Sequence, residues 1–202
     1  MTVLNRAAFF ATVRMRLGSL NQSQVEGFGV LLDAIDGAPL AHQAYMLATA
    51  WHETAATMHP IKEMGGPSYF TKMYDVAGNR TKLCIANGNT CAGDGPRYCG
   101  RGFVQLTWKN NYARAGAELG IDLVGNPDLA MAPGPAARIM RQGMTEGWFS
   151  GKKLSDYLPS QGVATHDQYV AARRIINGSD RAELVEDYAQ HFERALRDGG
   201  IA

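Results

Sequence analysis

The stretch "PLAHQAYMLATAWHETAATMHP", residues 39–60, decides the fold class of this chain. It is largely apolar and lies between two prolines. Pro39 suits the first turn of a helix, because a proline nitrogen has no hydrogen to donate and none is needed there. Pro60 cannot continue a helix, because its ring removes a hydrogen bond and clashes with the preceding turn. The stretch therefore predicts a helix that runs from Pro39 to about Met58.

The segments on either side of this helix predict a mainly α fold. Apolar residues recur at three- and four-residue spacing in residues 5–17 and 24–35, and the helical pattern returns further along the chain. The later helical segments are 106–119, 135–148 and 181–197, with shorter pieces at 153–157 and 168–176. Residues 60–100 differ, because they are rich in glycine, proline and asparagine. This composition predicts a long loop or a small hairpin lobe, and such a long irregular segment is usually functional.

The bulk composition is that of an ordinary globular domain. The chain has 202 residues, of which 46% are hydrophobic and 19% charged, and its formal net charge is +1. No linker or repeat divides it, so we expect a single domain over residues 1–202, acting as a monomer. The near-neutral charge argues against nucleic acid as the main partner. Arg6, Arg14 and Arg16 interrupt the N-terminal apolar residues, which predicts no signal peptide and synthesis in the cytoplasm.

Cofactor and metal motifs are incomplete in the sequence. "HETAA" at 52–56 is not the HExxH zinc motif, because Ala56 stands where the second histidine belongs. Three cysteines, Cys84, Cys91 and Cys99, lie close together, but their spacing is not CxxC and no histidine lies between them. An odd number of cysteines also argues against an obligate disulfide framework. We therefore expect no cofactor and no metal.

Glu53 is the leading candidate for a catalytic acid. It ends an apolar helix beside Leu47, Ala50 and Trp51. A carboxyl group on apolar and aromatic surface is desolvated, which favours its protonated form. A protonated carboxyl can donate a proton to a glycosidic oxygen. Glu53 could instead be a solvated residue at a helix end, which is the commoner role of a single glutamate.

Glycoside cleavage needs a second carboxylate, and Glu63 is the first candidate. It follows the helix break at Pro60 by three residues, and a break can turn the chain so that a later carboxylate faces an earlier one. In an inverting pair the two carboxyl groups are roughly 6.5–9.5 Å apart. Asp75 and Asp94 in the same segment are the alternatives.

A third stretch, Tyr98–Tyr112, carries polar groups suited to binding sugar. Gly100 and Gly102 bracket Arg101, so the backbone there could approach a ligand closely. An extended segment would place the side chains of Gln105 and Thr107 on one face. Asn111 and Tyr112 add an amide and an aromatic ring.

Three runs together resemble glycoside hydrolase family 19, a member of the chitinase-like and lysozyme-like superfamily. They are "WHETA" at 51–55, "GRGFVQLTWKNNY" at 100–112 and "ARRIINGSD" at 172–180. In order and spacing they are more similar to the bacteriophage endolysin branch than to the plant chitinases, over about residues 25–195. The chain departs from the family where Ala55, Ala56 and Trp108 occupy positions that are often glycine.

The resemblance implies a fold, a mechanism and a set of site residues. The implied fold is a mainly helical, lysozyme-like bilobed domain in which the 60–100 lobe lines a central groove. The implied mechanism is inverting, with Glu53 as acid, Glu63 as base and Thr107 helping to hold the attacking water. The implied substrate-binding residues are Gln105, Asn111 and Asn177, with Arg173 or Arg174 beside the last, and Arg174 is the one we place in the site.

The expected function is that of an endolysin that hydrolyses the β-1,4 bonds of peptidoglycan with one catalytic domain, residues 1–202, and without a separate wall-binding domain. Such an enzyme would accumulate in the host cytoplasm, would need a holin-like membrane permeabiliser as a partner, and would act on the cell wall or periplasm to release phage progeny. Two alternatives are a chitinase of the same family and a non-catalytic glycan-binding relative.

Overall fold

Ten α-helices and one small sheet make up the computed structural model, which describes residues 3–202 of the chain. The helices are α1 (Arg6–Leu17), α2 (Gln22–Ile35), α3 (Leu40–Glu53), α4 (Pro67–Tyr74), α5 (Thr81–Ala86), α6 (Asp94–Arg97), α7 (Lys109–Leu119), α8 (Pro133–Glu146), α9 (His166–Ala172) and α10 (Ala182–Asp198). Strands β1 (Ile61–Lys62) and β2 (Arg101–Gly102) form the sheet, and 3₁₀ turns lie at Pro127–Met131, Leu154–Asp156 and Arg173–Ile175. The predicted mainly α class is confirmed.

The chain divides into two compact units. One unit consists of the residues up to Met58 together with Met140–Ala202, and the other is His59–Ile139. The predicted single domain over residues 1–202, of which the first two lie outside the described residues, stays a prediction. No helix within residues 3–202 has both the length and the apolar character that a membrane span requires.

The first unit is built around α3, which packs against α10, while α10 also packs against α1. All residues of α3 from Leu40 to Trp51 are buried. Phe28 stacks on Trp51 with ring centroids 5.9 Å apart and also contacts Phe192 at 5.7 Å. Buried aromatic rings of this kind contribute large apolar areas to a core. The core therefore fixes the end of α3, where Glu53 lies.

Helix α3 ends at Glu53, five residues before the predicted end at Met58. Ala55, Ala56 and Met58 have positive φ angles of 49°, 63° and 56°. That left-handed backbone is incompatible with a continuing helix. The Thr54 hydroxyl donates to the Ala50 carbonyl at 2.7 Å and accepts from the Met58 N–H at 3.1 Å, which closes the turn. The apolar pattern that suggested a longer helix belongs to a tightly bonded turn.

The second unit contains the segment predicted as a long loop or hairpin lobe. Strand β1 does pair with β2 in antiparallel register, with Ile61 opposite Gly102 and Lys62 opposite Arg101. Three helices, α4, α5 and α6, were not predicted. Each has only four to eight residues, which is too short for helical periodicity to show in the sequence.

Candidate active site

Glu53 is held by a buried arginine of the same unit. Its carboxylate Oε1 accepts a hydrogen bond from Nη1 of Arg173 at 2.8 Å, and the side chains are 16% and 1% exposed, respectively. Nε of Arg173 donates to the carbonyl of Asp180 at 2.8 Å. A buried guanidinium requires such partners because an unpaired buried charge is costly. The ion pair therefore orients the Glu53 carboxylate from within the protein.

Apolar and weakly polar groups complete the surroundings of Glu53. Trp51 is buried, as the sequence suggested, and so is Tyr45. Burial raises the pKa of the Tyr45 phenol, the charge of Arg173 opposes this effect, and Glu53 adds to it. Burial also lowers the pKa of His52, although the charge of Glu53 acts in the other direction. Arg173 is thus the cation that bonds to Glu53, and the nearby titratable groups Tyr45 and His52 favour their neutral forms.

Glu63 accepts hydrogen bonds on both carboxylate oxygens within the second unit. The hydroxyl of Tyr74 donates to Oε1 at 2.8 Å, and that of Tyr69 donates to the same oxygen at 3.3 Å. The N–H of Gly100 donates to Oε2 at 3.1 Å. The Glu63 N–H in turn donates to the Gly100 carbonyl at 2.9 Å, which extends the β1–β2 pairing by one residue. The pairing thus places the carboxylate against the backbone of the "GRG" motif.

The backbone of Gly100 lies close to the side chains of Gln105 and Glu63. A Cβ atom there would lie 2.7 Å from Oε1 of Gln105 and 3.1 Å from Oε2 of Glu63. Nε2 of Gln105 donates to the carbonyls of Ile61 and Gly102 at 3.1 and 3.2 Å. Gln105 therefore braces the sheet beside Glu63.

The segment around Gln105 and Thr107 is a turn and not the extended strand that the alternation suggested. Arg101 and Leu106 form a bridge with two backbone hydrogen bonds, and Gln105 has a φ of 53°. The Thr107 hydroxyl donates to the Gln105 carbonyl at 2.8 Å, and Nδ2 of Asn111 donates to the Thr107 carbonyl at 2.8 Å. Because its single hydrogen is used, the Thr107 hydroxyl has only lone pairs left, and these could accept a bond from a water molecule.

Arg101 and Tyr112 lie inside the second unit and have supporting contacts. Arg101 is 4% exposed, and its Nε donates to Asp128 at 2.8 Å. Its Nη1 donates to the hydroxyl of Tyr112 at 3.0 Å, and that hydroxyl donates to the carbonyl of Cys99 at 2.8 Å. Tyr112 is fully buried, so its ring has no face available to a sugar. These contacts do not support the predicted sugar binding by Arg101 and Tyr112, and they favour a role in holding the "GRG" turn.

The two alternative second carboxylates are occupied by backbone donors. Asp75 is 1% exposed and accepts from the N–H groups of Ala77, Gly93 and Gly95 at 2.8–3.1 Å. Burial alone would raise the pKa of Asp75, but these backbone hydrogen bonds outweigh it and lower the pKa.

Asp94 accepts from the N–H groups of Thr90 and Cys91 at 2.9 and 3.0 Å and is 7% exposed. Both aspartates thus bond to backbone N–H groups within residues 60–100. Glu63 is the most accessible of the three acids.

Asn177 and Arg174 are exposed, and the arginine beside Glu53 is Arg173. Nη1 of Arg174 makes one long bond, 3.4 Å, to the carbonyl of Ala171. Arg173 is thus the arginine that contacts Glu53, while substrate binding by the exposed Asn177 and Arg174 stays a prediction. The sequence offers two adjacent arginines, and they lie in a short 3₁₀ turn whose inward side no periodicity reveals.

Among the described residues, one group brings metal-ligating atoms within 4.8 Å of each other: His166, Glu183 and Glu186. Nε2 of His166 lies 3.3 Å from Glu183, and Nδ1 lies 3.2 Å from Glu186. The two carboxylates face different nitrogens of the imidazole, whereas a metal ion binds only one of them, so this arrangement does not favour a metal site. All three cysteines are free thiols, and burial raises the pKa values of Cys84 and Cys99.

The sequence of this chain matches a known protein family. The model of the family described as "Chitinase class I", glycoside hydrolase family 19, matches residues 23–140, which include both glutamates and the "GRG" turn. The chain belongs to glycoside hydrolase family 19.

Family 19 relatives and structures resemble the chain over different lengths. The Arabidopsis thaliana protein "Endochitinase At2g43610" is 29% identical over 190 residues, which cover 92% of this chain and 60% of that protein. The Vitis vinifera protein "Basic endochitinase" is 38% identical over 87 residues, 43% of this chain and 27% of the relative. The chain thus spans 60% or less of the length of these curated relatives.

Two solved structures show the same fold. Chitinase C from Streptomyces griseus has a TM-score of 0.60 at 21% identity, over 95% of this chain and 76% of that one. A bacterial family 19 chitinase has a TM-score of 0.55 at 24% identity, over 100% and 97% of the two chains.

Two tyrosines that contact Glu63 were not predicted from the sequence. Tyr69 and Tyr74 are both polar aromatic residues within eleven positions of Glu63. They lie on α4, which is too short for helical periodicity to show in the sequence. The sequence therefore does not indicate that both side chains point back to Glu63.

Proposed function

We propose that this protein hydrolyses β-1,4 bonds in glycans that contain N-acetylglucosamine, with Glu53 as general acid and Glu63 as general base. The observation that carries the proposal is the carboxylate of Glu53, which is 16% exposed at the end of α3 and is held by the buried Arg173. A carboxyl that is oriented by its own unit and still reaches solvent can meet a glycosidic oxygen. Membership of family 19, with both glutamates in the matched region, supports the pairing.

The proposed reaction is a single displacement. Glu53 donates its proton to the glycosidic oxygen as the bond to the anomeric carbon breaks, while Glu63 takes a proton from a water molecule that attacks that carbon. Thr107 has lone pairs available to orient this water, because its own hydrogen is bonded to the Gln105 carbonyl. The products are two shorter glycans. Before the next turnover Glu63 releases its proton to solvent and Glu53 takes one up.

The experiment compares wild type with Glu53→Gln on chitin oligosaccharides and on purified peptidoglycan. Loss of general acid catalysis is expected to lower kcat at least ~100-fold. Glutamine keeps an oxygen for Arg173, so the variant should stay folded and still bind glycan. Glu118→Gln, an exposed glutamate on α7, is the matched control and should keep wild-type kcat. Turnover by Glu53→Gln close to that of wild type would exclude Glu53 as the acid. A wild type that binds both glycans and cleaves neither would support the non-catalytic alternative.

Two substrates follow from two different observations. The resemblance of "WHETA" and "GRGFVQLTWKNNY" to the phage branch supports peptidoglycan, and hence an endolysin that releases phage progeny. The relatives described as endochitinases support chitin as the second candidate. Mass spectrometry of fragments released from both polymers discriminates between them, because only an enzyme for peptidoglycan releases muropeptides.

The endolysin proposal includes a partner and a location. A chain made in the host cytoplasm would reach the wall only after a holin-like protein opens the membrane. A culture of cells that express this protein alone should then keep its turbidity, and permeabilisation of the cell membrane should start lysis.

A further inference from the structure

Two tyrosines on one helix donate to the same carboxylate oxygen, but their environments differ. The hydroxyl of Tyr74 lies 2.8 Å from Oε1 of Glu63 and is half-buried. The hydroxyl of Tyr69 lies 3.3 Å from that oxygen, and its residue is 42% exposed. A short, shielded hydrogen bond to a charged group contributes more than a long one that water can replace.

The position of Tyr74 is fixed through its backbone and its ring. Its carbonyl accepts from Nδ2 of Asn89 at 2.8 Å, and Oδ1 of the same asparagine accepts from the N–H of Lys109 at 2.9 Å. Asn89 is fully buried, so it joins the end of α4 to the start of α7. The ring of Trp108 meets that of Tyr74 edge-on, with centroids 5.1 Å apart. Tyr74 is thus a rigid donor.

We infer that Tyr74 is a positioning residue, which holds the carboxylate of Glu63 in the orientation that activates water. The inference rests on the proposed role of Glu63 as base. Tyr74 and Tyr69 donate to Oε1 and the Gly100 N–H donates to Oε2, which restrains rotation of the carboxylate and leaves one lone pair, on Oε2, to accept the proton of water. A fixed base matters because small displacements of a catalytic group lower the rate strongly.

The protonation state of Tyr74 suits this role. Burial raises the pKa of its phenol, and the hydrogen bond to Glu63 and the charge of Glu63 raise it further. The hydroxyl therefore keeps its proton and remains a donor at any pH at which the enzyme would work.

The experiment removes one hydroxyl at a time with Tyr74→Phe and Tyr69→Phe. Tyr74→Phe should lower kcat about ten- to hundredfold, as expected for loss of a hydrogen bond to a charged group, with little change in KM. Tyr69→Phe is the matched control and should lower kcat at most about threefold, because water replaces its hydroxyl. Phenylalanine keeps the aromatic ring at both positions, including the contact of residue 74 with Trp108. Both variants should therefore unfold at nearly the same temperature as wild type.

A second background separates this inference from the proposed function. Tyr74→Phe is combined with Glu63→Gln, and residual turnover is measured over long incubations. No further loss is expected, because two groups that act as a unit are non-additive. A full additional loss, or wild-type kcat for Tyr74→Phe alone while Glu63→Gln is inactive, would overturn the positioning role only. Full activity of Glu63→Gln would overturn the proposed base and the inference together.

Discussion

Arg173 shows at the scale of one residue how a site depends on a buried charge. It is 1% exposed and pairs with Glu53 at 2.8 Å, and its Nε donates a hydrogen bond to the carbonyl of Asp180. Its neighbour Arg174 is exposed, and its guanidinium donates one long bond, to the carbonyl of Ala171. Two adjacent residues of the same type therefore have different energetic roles, and the sequence could not distinguish them.

Replacement of the two arginines by glutamine should separate these roles. Arg173→Gln leaves the Glu53 carboxylate without its cation, and loss of one partner of a buried pair costs about 3–5 kcal/mol of unfolding free energy. Arg174→Gln removes an exposed side chain and should change stability by less than about 0.5 kcal/mol. Urea denaturation followed by circular dichroism measures both. Equal midpoints for the two variants would show that the ion pair contributes nothing to stability.

Strained turns at the ends of elements carry the site residues. The chain leaves α3 through Ala55, Ala56 and Met58, all at positive φ, and it enters α7 through Trp108 at a φ of 79°. Ala55, Ala56 and Trp108 are the positions at which the sequence departs from glycines that are common in the family. The backbone thus keeps a conformation that favours glycine, and non-glycine residues adopt it at a cost.

A pair of alanine-to-glycine changes tests this strain. Ala55 is exposed and has a φ of 49°, so Ala55→Gly should raise the free energy of unfolding by about 0.5–1 kcal/mol. Ala113 is exposed within α7, where Ala113→Gly should lower it by about 0.5–1 kcal/mol. Thermal unfolding of both variants provides the comparison. A loss of stability in Ala55→Gly as large as that in Ala113→Gly would argue against strain in the turn.

Elements with strong local signals could be predicted from the sequence, and those built by distant contacts could not. Helices α1, α2 and α3 were predicted from apolar spacing and Pro39, with an error only where α3 ends. The conformation of residues 60–100 depends on Asp75 and Asn89, whose side chains bond backbone groups 15 to 20 residues away. Such bonds leave no periodic pattern in the sequence, so the short helices of this segment were missed.

At the scale of the whole molecule, apolar spacing predicted the helical fold and three short motifs predicted the family, whereas the surroundings of the glutamates needed the structure. The motif "WHETA" contains Glu53, and Glu63 was predicted from the helix break at Pro60 and from the resemblance. The partners of the two carboxylates come from α4, from the "GRG" turn and from the turn after α9. The chemistry of the pair is therefore best tested by a property of the reaction itself.

The stereochemistry of the first product is that property. A base that activates water, on the side of the sugar opposite the leaving group, inverts the anomeric carbon, whereas a nucleophilic carboxylate gives retention through a glycosyl-enzyme intermediate. Glu63 has both carboxylate oxygens engaged by Tyr74 and Gly100, which suits proton transfer from water better than formation of a bond to carbon. We therefore expect an α-anomeric first product from a β-linked chitin oligosaccharide, recorded by proton NMR before mutarotation. Thr107→Ala should slow turnover more than it weakens binding and leave the α-anomer unchanged, because it affects only how the water is held. A β-anomeric first product would mean that a carboxylate or the N-acetyl group of the substrate attacks the anomeric carbon first, and Glu63 would then not be the base of an inverting reaction.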